Sequence, residues 1–280
     1  MSEAAAQLSD RHFRSVAELI EQEVGIRLPA GKRFMLEGRL HKRARALDCT
    51  GLNEYVERLF DHAQFETELV HLIDCVTTNK TDFFREPTHF TFMRDVAVPS
   101  LLDARRRRSN GLKVWSAASS TGMEAYTAAI VLDDMIRSGG RFQFRILGTD
   151  ISTGVLRLAR AGIYTREMIA PVPPDLVRRY FLAAKDPSRD EVRVVPELRR
   201  LTHFMRMNLM DATYPVDCDV DIIFCRNVLI YFDKQNQRKV VDRLCHHLRP
   251  GGYLMVGHSE SMVHAGVPHL RQVQPTIFQV

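Results

Sequence analysis

The 280 residues carry 39 Lys and Arg against 34 Asp and Glu, a net charge of +5, and are 45% hydrophobic. The chain is long enough to bury a sizeable core and reads as two domains, and a charge this modest matters more by its distribution than by its sum. No apolar run reaches the roughly 18 residues that span a bilayer, Met1-Ser2-Glu3 opens without the regions of a secretory leader, and Cys49, Cys75, Cys218, Cys225 and Cys245 form no C-x-x-C pair, so membrane insertion, secretion, a disulfide framework and a zinc site are all disfavoured.

From Ser9 to about Asp74 the pattern is helical. Ser9-Asp10 caps a first helix with an apolar face of Phe13, Val16, Ala17, Ile20 and Val24, ended by Gly25. Pro29-Ala30-Gly31 separates it from a second helix, whose inward stripe is Leu36, Leu40, Ala44 and Leu47. Arg27, Lys32, Arg33, Arg39, Lys42, Arg43 and Arg45 stand there against one acid, Glu37, while the stretch that follows is acidic (Asp48, Glu54, Glu57, Asp61, Glu66, Glu68). A charge run is ordinarily a solvated face. The contrast points instead to a docking surface for an acidic protein helix or a nucleic acid backbone. No aromatic residue interleaves the basic ones, which disfavours stacking on single-stranded bases.

Residues 77 to 90 read as a structured loop: Thr77, Thr78, Asn79 and Thr81 compete for backbone hydrogen bonds, and Phe83 and Phe84 need burial. Asn79, Thr81 and Arg85 can turn from it toward one polar group. A helix is expected from about Phe90 to Arg105, followed by the exposed run Arg105 to Arg108.

The chain is organised around residues 113 to 126. Val114, Trp115, Ala117 and Ala118 read as a buried strand, Ser119 to Gly122 as a tight turn, and Met123 to Ile136 as a helix. Small residues there let a ligand approach the backbone, and Gly122 accepts positive φ. A second strand, Phe142 to Leu147, ends at Gly148-Thr149-Asp150. An acid at that place holds ribose hydroxyls in nucleotide-binding α/β folds. Asp150 follows Gly122 by 28 residues, longer than the spacing of about 20 in the dinucleotide fingerprint, so the match is topological and an oxidoreductase is disfavoured.

After a helix from Ile151 to Ala161, prolines and the short strand Val192 to Val195 mark an inserted β element. Residues 203 to 207 return to strand, with Asn208-Leu209 at its end. Asp221 to Asn227 is the strongest strand, suited to the centre of a parallel sheet, with Asn227 at the carboxyl edge beside Ser119 and Asp150. A helix over Lys234 to Leu248, a turn at Pro250-Gly251-Gly252, a strand from Tyr253 to Gly257 and a last strand from Gln272 to Val280 complete the pattern.

Several motifs in order resemble one family. Thr77 to Arg85, Val114 to Tyr126, Thr149-Asp150-Ile151, Gly162-Ile163-Tyr164, Phe224 to Phe232, Arg249 to Tyr253 and Gly257 to Ser261 look like the chemoreceptor glutamate methyltransferases, the CheR proteins. The resemblance implies a Rossmann-like α/β methyltransferase domain (91 to 280), a helical amino-terminal domain (1 to 90) and a small inserted antiparallel β-subdomain (165 to 200). It also implies S-adenosylmethionine as cofactor, S-adenosylhomocysteine as product, and a receptor glutamate as acceptor. By the same resemblance Asn79, Thr81 and Arg85 line the cofactor, Asp150 holds the ribose, Asn208 and Leu209 meet the adenine, Arg226 and Asn227 meet the methionine end, and Tyr231 lies near the methyl. Arg85 or one of Arg105 to Arg108 steers the incoming acid, Tyr231 orients it, and His258 is read as a structural hydrogen-bonding residue.

One position departs from the family, which usually has S-T-G-E-E-P-Y where this chain has S-T-G-M-E-A-Y. Met123 stands at a cofactor contact and Glu124 is the remaining acid, turned by about 100° on a helix. The resemblance further implies that the basic second helix takes acidic receptor helices through Arg39, Lys42 and Arg43, and that the insertion takes a receptor carboxyl-terminal pentapeptide by strand addition. A cytoplasmic monomer that inserts in no membrane and binds no metal or nucleic acid is expected. The alternatives are a nucleic acid methyltransferase, for which no acceptor loop or stacking module is visible, and a non-catalytic regulator that binds the same cofactor.

Overall fold

The computed structural model describes residues 7–61, 65–104, 111–186, 188–260, 267 and 269–280. Arg105 to Arg108 lie outside them. No helix among the described residues is long and apolar enough to cross a membrane.

Four helices open the chain: α1 (Asp10–Val24), α2 (Arg33–Ala46), α3 (Leu52–Leu59) and α4 (Phe65–Val76). The Ser9 hydroxyl accepts from the His12 N–H, Gly25 closes α1 in the left-handed region at φ 71, and Val16, Ile20, Leu36, Leu40, Tyr55 and Leu72 meet in a core of their own. Full burial of each such aliphatic side chain contributes about 1.5–3 kcal/mol.

The basic face of α2 is divided by its partners. Arg43 donates from Nε and Nη2 to both oxygens of Glu68 at 2.9 and 2.6 Å, and Tyr55 donates to the same carboxylate at 2.8 Å. Arg39 Nη1 reaches the Val76 and Thr77 carbonyls at 2.6 and 3.1 Å, satisfying the carboxyl end of α4. Arg39 and Arg43, which the sequence reading expects to face a partner, thus have partners within the chain, and both bind α2 to α4 and the loop after it. A charge run in sequence does not show which of its members point inward. Lys42 and Arg45 are exposed, as is Phe34 at 83%.

The second part of the chain builds a seven-stranded sheet from β1 (Leu112–Ala117), β2 (Phe144–Asp150), β6 (Thr202–Arg206), β7 (Val220–Cys225), β8 (Leu248–Val256), β9 (Arg271–Gln274) and β10 (Ile277–Gln279), in the order β6-β2-β1-β7-β8-β10-β9. The first five run parallel, and β10 is antiparallel to β8 and β9. Alternation sends Val114, Ile222 and Phe224 to one core and Trp115, Ile223 and Cys225 to the other, so both faces are covered and the strands read as continuous apolar runs. One face carries α5 (Pro87–Phe92), α6 (Val98–Ala104) and α7 (Met123–Arg137), with a π-helical turn at Met93–Ala97 between α5 and α6. Val240, Val241 and Leu244 of α11 (Lys234–His247) pack on the other.

Three elements differ from expectation. The helix expected from Phe90 starts at Pro87, whose fixed φ and missing N–H suit a first helical position. Gln272 to Val280 is not one strand but a hairpin, because Pro275 has no N–H to continue a ladder and Thr276 turns the chain at φ 63. Pro250-Gly251-Gly252 lies inside β8 as an irregularity in its pairing with β7. The insertion is a three-stranded antiparallel sheet, β3 (Ile163–Thr165), β5 (Glu191–Val194) and β4 (Phe181–Ala183) in that order, with α9 (Pro174–Tyr180) and α10 (Pro196–Leu201) beside it. Between β2 and this insertion runs α8 (Thr153–Ala161).

Candidate functional site

Register sets the site. Ala117 of β1 is paired with Thr149 of β2 and Cys225 of β7, and Cys225 with Val256 of β8. The residues that follow therefore leave the carboxyl edge side by side: Ala118, Asp150, Arg226 and Gly257. Strand β1 is also where the order reverses, with β2 on one side and β7 on the other, the place where open α/β sheets bind ligands.

The turn after β1 is held in a shape that costs free energy. Ala118 and Ser120 take positive φ of 60 and 50 and Gly122 takes 86, and each such non-glycine residue costs on the order of 1–3 kcal/mol. Asp150 anchors the turn: its Oδ2 accepts from the Ser120 N–H at 2.8 Å and its Oδ1 from the Ser152 N–H at 2.9 Å. Burial pushes its pKa up against those hydrogen bonds. The buried Ser119 hydroxyl has no hydrogen-bond partner among the described residues, so a polar atom of a ligand would satisfy it.

On the other side of β1, Arg226 is 3% exposed and bridges two acids, Glu124 Oε2 and Glu86 Oε2, each at 3.0 Å. Its Nη2 also donates to the Arg85 carbonyl at 2.5 Å. Glu124 Oε1 accepts from Ser116 Oγ at 2.7 Å. Burial pushes the Glu124 carboxyl up, opposed by the positive charge of Arg226. The next residue, Asn227, turns at φ 60. Its N–H donates to Glu260 Oε2 at 2.9 Å and its Nδ2 to Glu86 Oε1 at 3.2 Å. Glu260 also accepts from the N–H groups of Gly257 and Ile230 and so holds the turn in place. Gly257 is required here, since a Cβ would lie 2.5 Å from Asn227 Nδ2.

These edges enclose one cavity, lined by Asn79, Thr81, Arg85, Glu124, Asp150, Asn208, Leu209, Arg226, Asn227 and Tyr231. Met123 is the one expected contact that the structure puts elsewhere: it is buried in the core cluster on one sheet face and does not line the cavity. The reason is helical direction, because Glu124, one position along, faces the cavity and Arg226 instead. The Asn208 side chain is bound to the Glu23 carbonyl of α1 at 2.7 Å, and Arg85 Nη1 to the Lys80 carbonyl at 3.0 Å.

Other functional residues escaped the sequence reading. Val24 and Ile26, at the end of α1, wall the cavity from the helical bundle, and nothing in the local pattern of α1 marks them. Glu86 and Glu260 sit inside or beside quoted motifs, yet only their buried charge and their partners reveal what they do. The bundle is pinned to the second part of the chain by Asp74, which accepts at the start of α8 from Thr153 Oγ1 at 3.0 Å and the Gly154 N–H at 3.3 Å, and by Gly25, which lies against Met210 and Phe232.

Comparison with known proteins agrees in extent with this division. Residues 79–277 match the family described as CheR methyltransferase, SAM binding domain, and residues 11–77 match the CheR methyltransferase all-alpha domain. The chain is 41% identical to the chemotaxis protein methyltransferase of Escherichia coli K12 over 92% of its length and 86% of that protein's. It is 39% identical to chemotaxis protein methyltransferase 2 of Pseudomonas aeruginosa, over 95% of this chain and 91% of that one. To the Salmonella typhimurium chemotaxis protein methyltransferase it is 41% identical, over 91% and 85%.

Proposed function

The chain belongs to the CheR methyltransferase family, and we propose that it methylates glutamate side chains on the cytoplasmic helices of chemoreceptors, as a monomer in the cytoplasm. It is an S-adenosylmethionine-dependent methyltransferase that acts in chemotaxis. The observation that supports the site is the convergence on one cavity of Asn79 from the loop after α4, Asp150 from β2 and Asn227 from β7.

The residues fit the cofactor. Asp150 offers a carboxylate to a ribose diol at the end of β2, the Ser119 hydroxyl lacks a partner, and Glu124 and Arg226 supply the opposite charges that an amino-acid end requires. Leu209, Ile151 and Met207 form an apolar wall for a base. The division near residue 90 and the inserted unit from 165 to 200 belong to the same reading.

When bound, S-adenosylmethionine supplies a methyl group on a positively charged sulfur. The acceptor carboxylate, with an ordinary pKa of about 4.3, arrives ionised near pH 7, so the chain needs no general base. What its residues contribute is position. Arg85 steers the incoming acid and Tyr231, at the cavity wall, orients it; holding two reactants in line contributes up to about 7–11 kcal/mol. The apolar wall and the bundle residues Val24 and Ile26 exclude water, which strengthens the attraction between the charges.

Receptor helices dock on the exposed side of α2. Phe34, Gly38, Lys42 and Arg45 are all exposed and fall on one stripe, and a Cβ at Gly38 would touch nothing within 4 Å, which leaves room for a helix to approach closely. A receptor tail adds to the small sheet, whose edge strands β3 and β4 carry the exposed apolar residues Ile163 and Leu182. Deleting residues 185 to 191 tests this contact: receptor affinity falls if it exists and is unchanged if it does not.

The function itself is tested by incubation with labelled S-adenosylmethionine and either receptor cytoplasmic fragments or RNA. Base-labile methyl ester on the receptor is expected. Label on RNA, or binding without transfer, would replace this reading with a nucleic acid methyltransferase or a non-catalytic regulator.

A further inference from the structure

Outside the cavity lining, on the far partner of Arg226, a carboxylate meets two imidazoles. Glu86 precedes α5 with φ 54, His89 lies in the first turn of α5 at 1% exposure, and His258 follows β8 and is open to solvent. One ligand atom from each side chain lies within 4.8 Å of the others. Glu86 Oε2 is 3.6 Å from His89 Nδ1 and 3.8 Å from His258 Nε2.

His89 is held on its far side by Thr276. Its Nε2 lies 2.8 Å from Thr276 Oγ1, and that hydroxyl gives its own hydrogen to the Pro275 carbonyl at 2.6 Å. With the hydroxyl hydrogen so placed, Thr276 accepts from an Nε2–H and Nδ1 presents a lone pair toward Glu86. That Nδ1 is buried and without a hydrogen-bond partner, and it faces a carboxylate oxygen. In that tautomer a lone pair and a carboxylate oxygen face each other in a buried place, and a cation between them would satisfy the nitrogen, which unlike the oxygen has no share in Arg226.

We propose that Glu86, His89 and His258 bind one divalent transition-metal ion of the zinc class, with the remaining position left to water. Two imidazoles and one carboxylate are an established donor set for such ions, and bond lengths of about 2.0–2.2 Å put tetrahedral ligand atoms roughly 3.3–3.6 Å apart. The two distances from Glu86 Oε2 close to that with a shift of a few tenths of an ångström, the two imidazoles lie within 4.8 Å of each other, and the exposed His258 side chain can move in from the entry side. Arg226 Nη2, 3.0 Å from the same Glu86 oxygen, opposes the ion. The local group nevertheless holds two carboxylates, Glu86 and Glu124, against that one guanidinium, so its charge balance is negative. Affinity in the micromolar rather than the nanomolar range is expected.

The test uses full-length protein freed of metal by chelator, titrated with cobalt chloride and followed by visible d–d absorption, and with zinc chloride by calorimetry. One equivalent should bind, without the near-ultraviolet band of a cobalt–thiolate bond. His258→Ala, at an exposed position, should weaken binding at least about tenfold. Absence of binding to the wild-type chain would mean that a proton or a water fills the gap and would overturn the proposal. A thiolate band, or unchanged affinity in H258A, would overturn it as well.

Discussion

Arg226 and Glu124 are 102 residues apart in the chain and 3.0 Å apart in the fold, one leaving β7 and the other in the first turn of α7. Their pairing closes the cavity on the β7 side of β1, as Asp150 closes it on the β2 side. Both residues are largely buried, at 3% and 12% side-chain exposure, and Glu124 has Arg226 as its counter-charge while Arg226 shares itself with Glu86.

Glu124→Ala leaves Arg226 buried with one acid instead of two. Glu86 still offsets the charge, so the cost is that of the hydrogen bonds Arg226 and Ser116 lose, about 1–3 kcal/mol, and the variant should unfold at lower urea concentration and bind S-adenosylhomocysteine weakly. Glu124→Gln, which keeps an acceptor for Ser116, should lose binding with a smaller loss of stability. Equal stability of E124A and wild type in urea titration would show that the pair does not hold the site.

The Arg43–Glu68 pair carries a pH signature. Burial raises the Glu68 pKa, but the hydrogen bonds and charge of Arg43 and the Tyr55 hydroxyl outweigh it, and the net shift is downward. The folded state then binds fewer protons than the unfolded one, so this stabilisation is present above the unfolded value of about 4.3 and is lost as pH falls through the lower folded value. Glu68→Gln should be less stable than wild type near neutral pH, and the gap should narrow on acidification. Denaturant titrations at stepped pH read this; a gap independent of pH would exclude the linkage.

Charge reversal on α2 separates docking from folding. Arg43→Glu sets two carboxylates against each other at Glu68 and should destabilise the bundle by several kcal/mol, on the order of a broken buried pair. Lys42→Glu with Arg45→Glu changes exposed residues only. The double variant should keep its melting temperature and its donor affinity while receptor methylation, as kcat/KM, falls roughly tenfold, the 1.4 kcal/mol of a few lost surface contacts. Unchanged kcat/KM would remove α2 as the docking face.

Asp150→Asn tests the other wall. The amide keeps one acceptor, so either Ser120 or Ser152 loses its partner at a cost of about 1–3 kcal/mol of stability. If the carboxylate also holds the ribose, S-adenosylhomocysteine affinity should fall about 10–100-fold in calorimetry, as loss of a charge-assisted contact predicts. A drop in stability with intact affinity would leave Asp150 as a turn anchor only.

What the sequence determined by itself was what depends on near neighbours. Alternation, apolar stripes, caps and small residues at turns are short-range features, and from them the β-turn-α unit at residues 113 to 126, the central strand before Asn227 and the helical start are legible, as are Ser119, Asp150 and Asn227 at one edge. Only the tertiary structure decided which charges are spent. It turned Arg43 to Glu68 across 25 residues, tied Asn227 to Glu86 across 141, put Met123 in the core while Glu124 faced Arg226, and folded the last strand at Pro275. The physical reason is that a charged or polar side chain finds its partner through strand register and helix packing, which join distant segments, whereas periodicity along the chain records only which side of its own element a residue occupies.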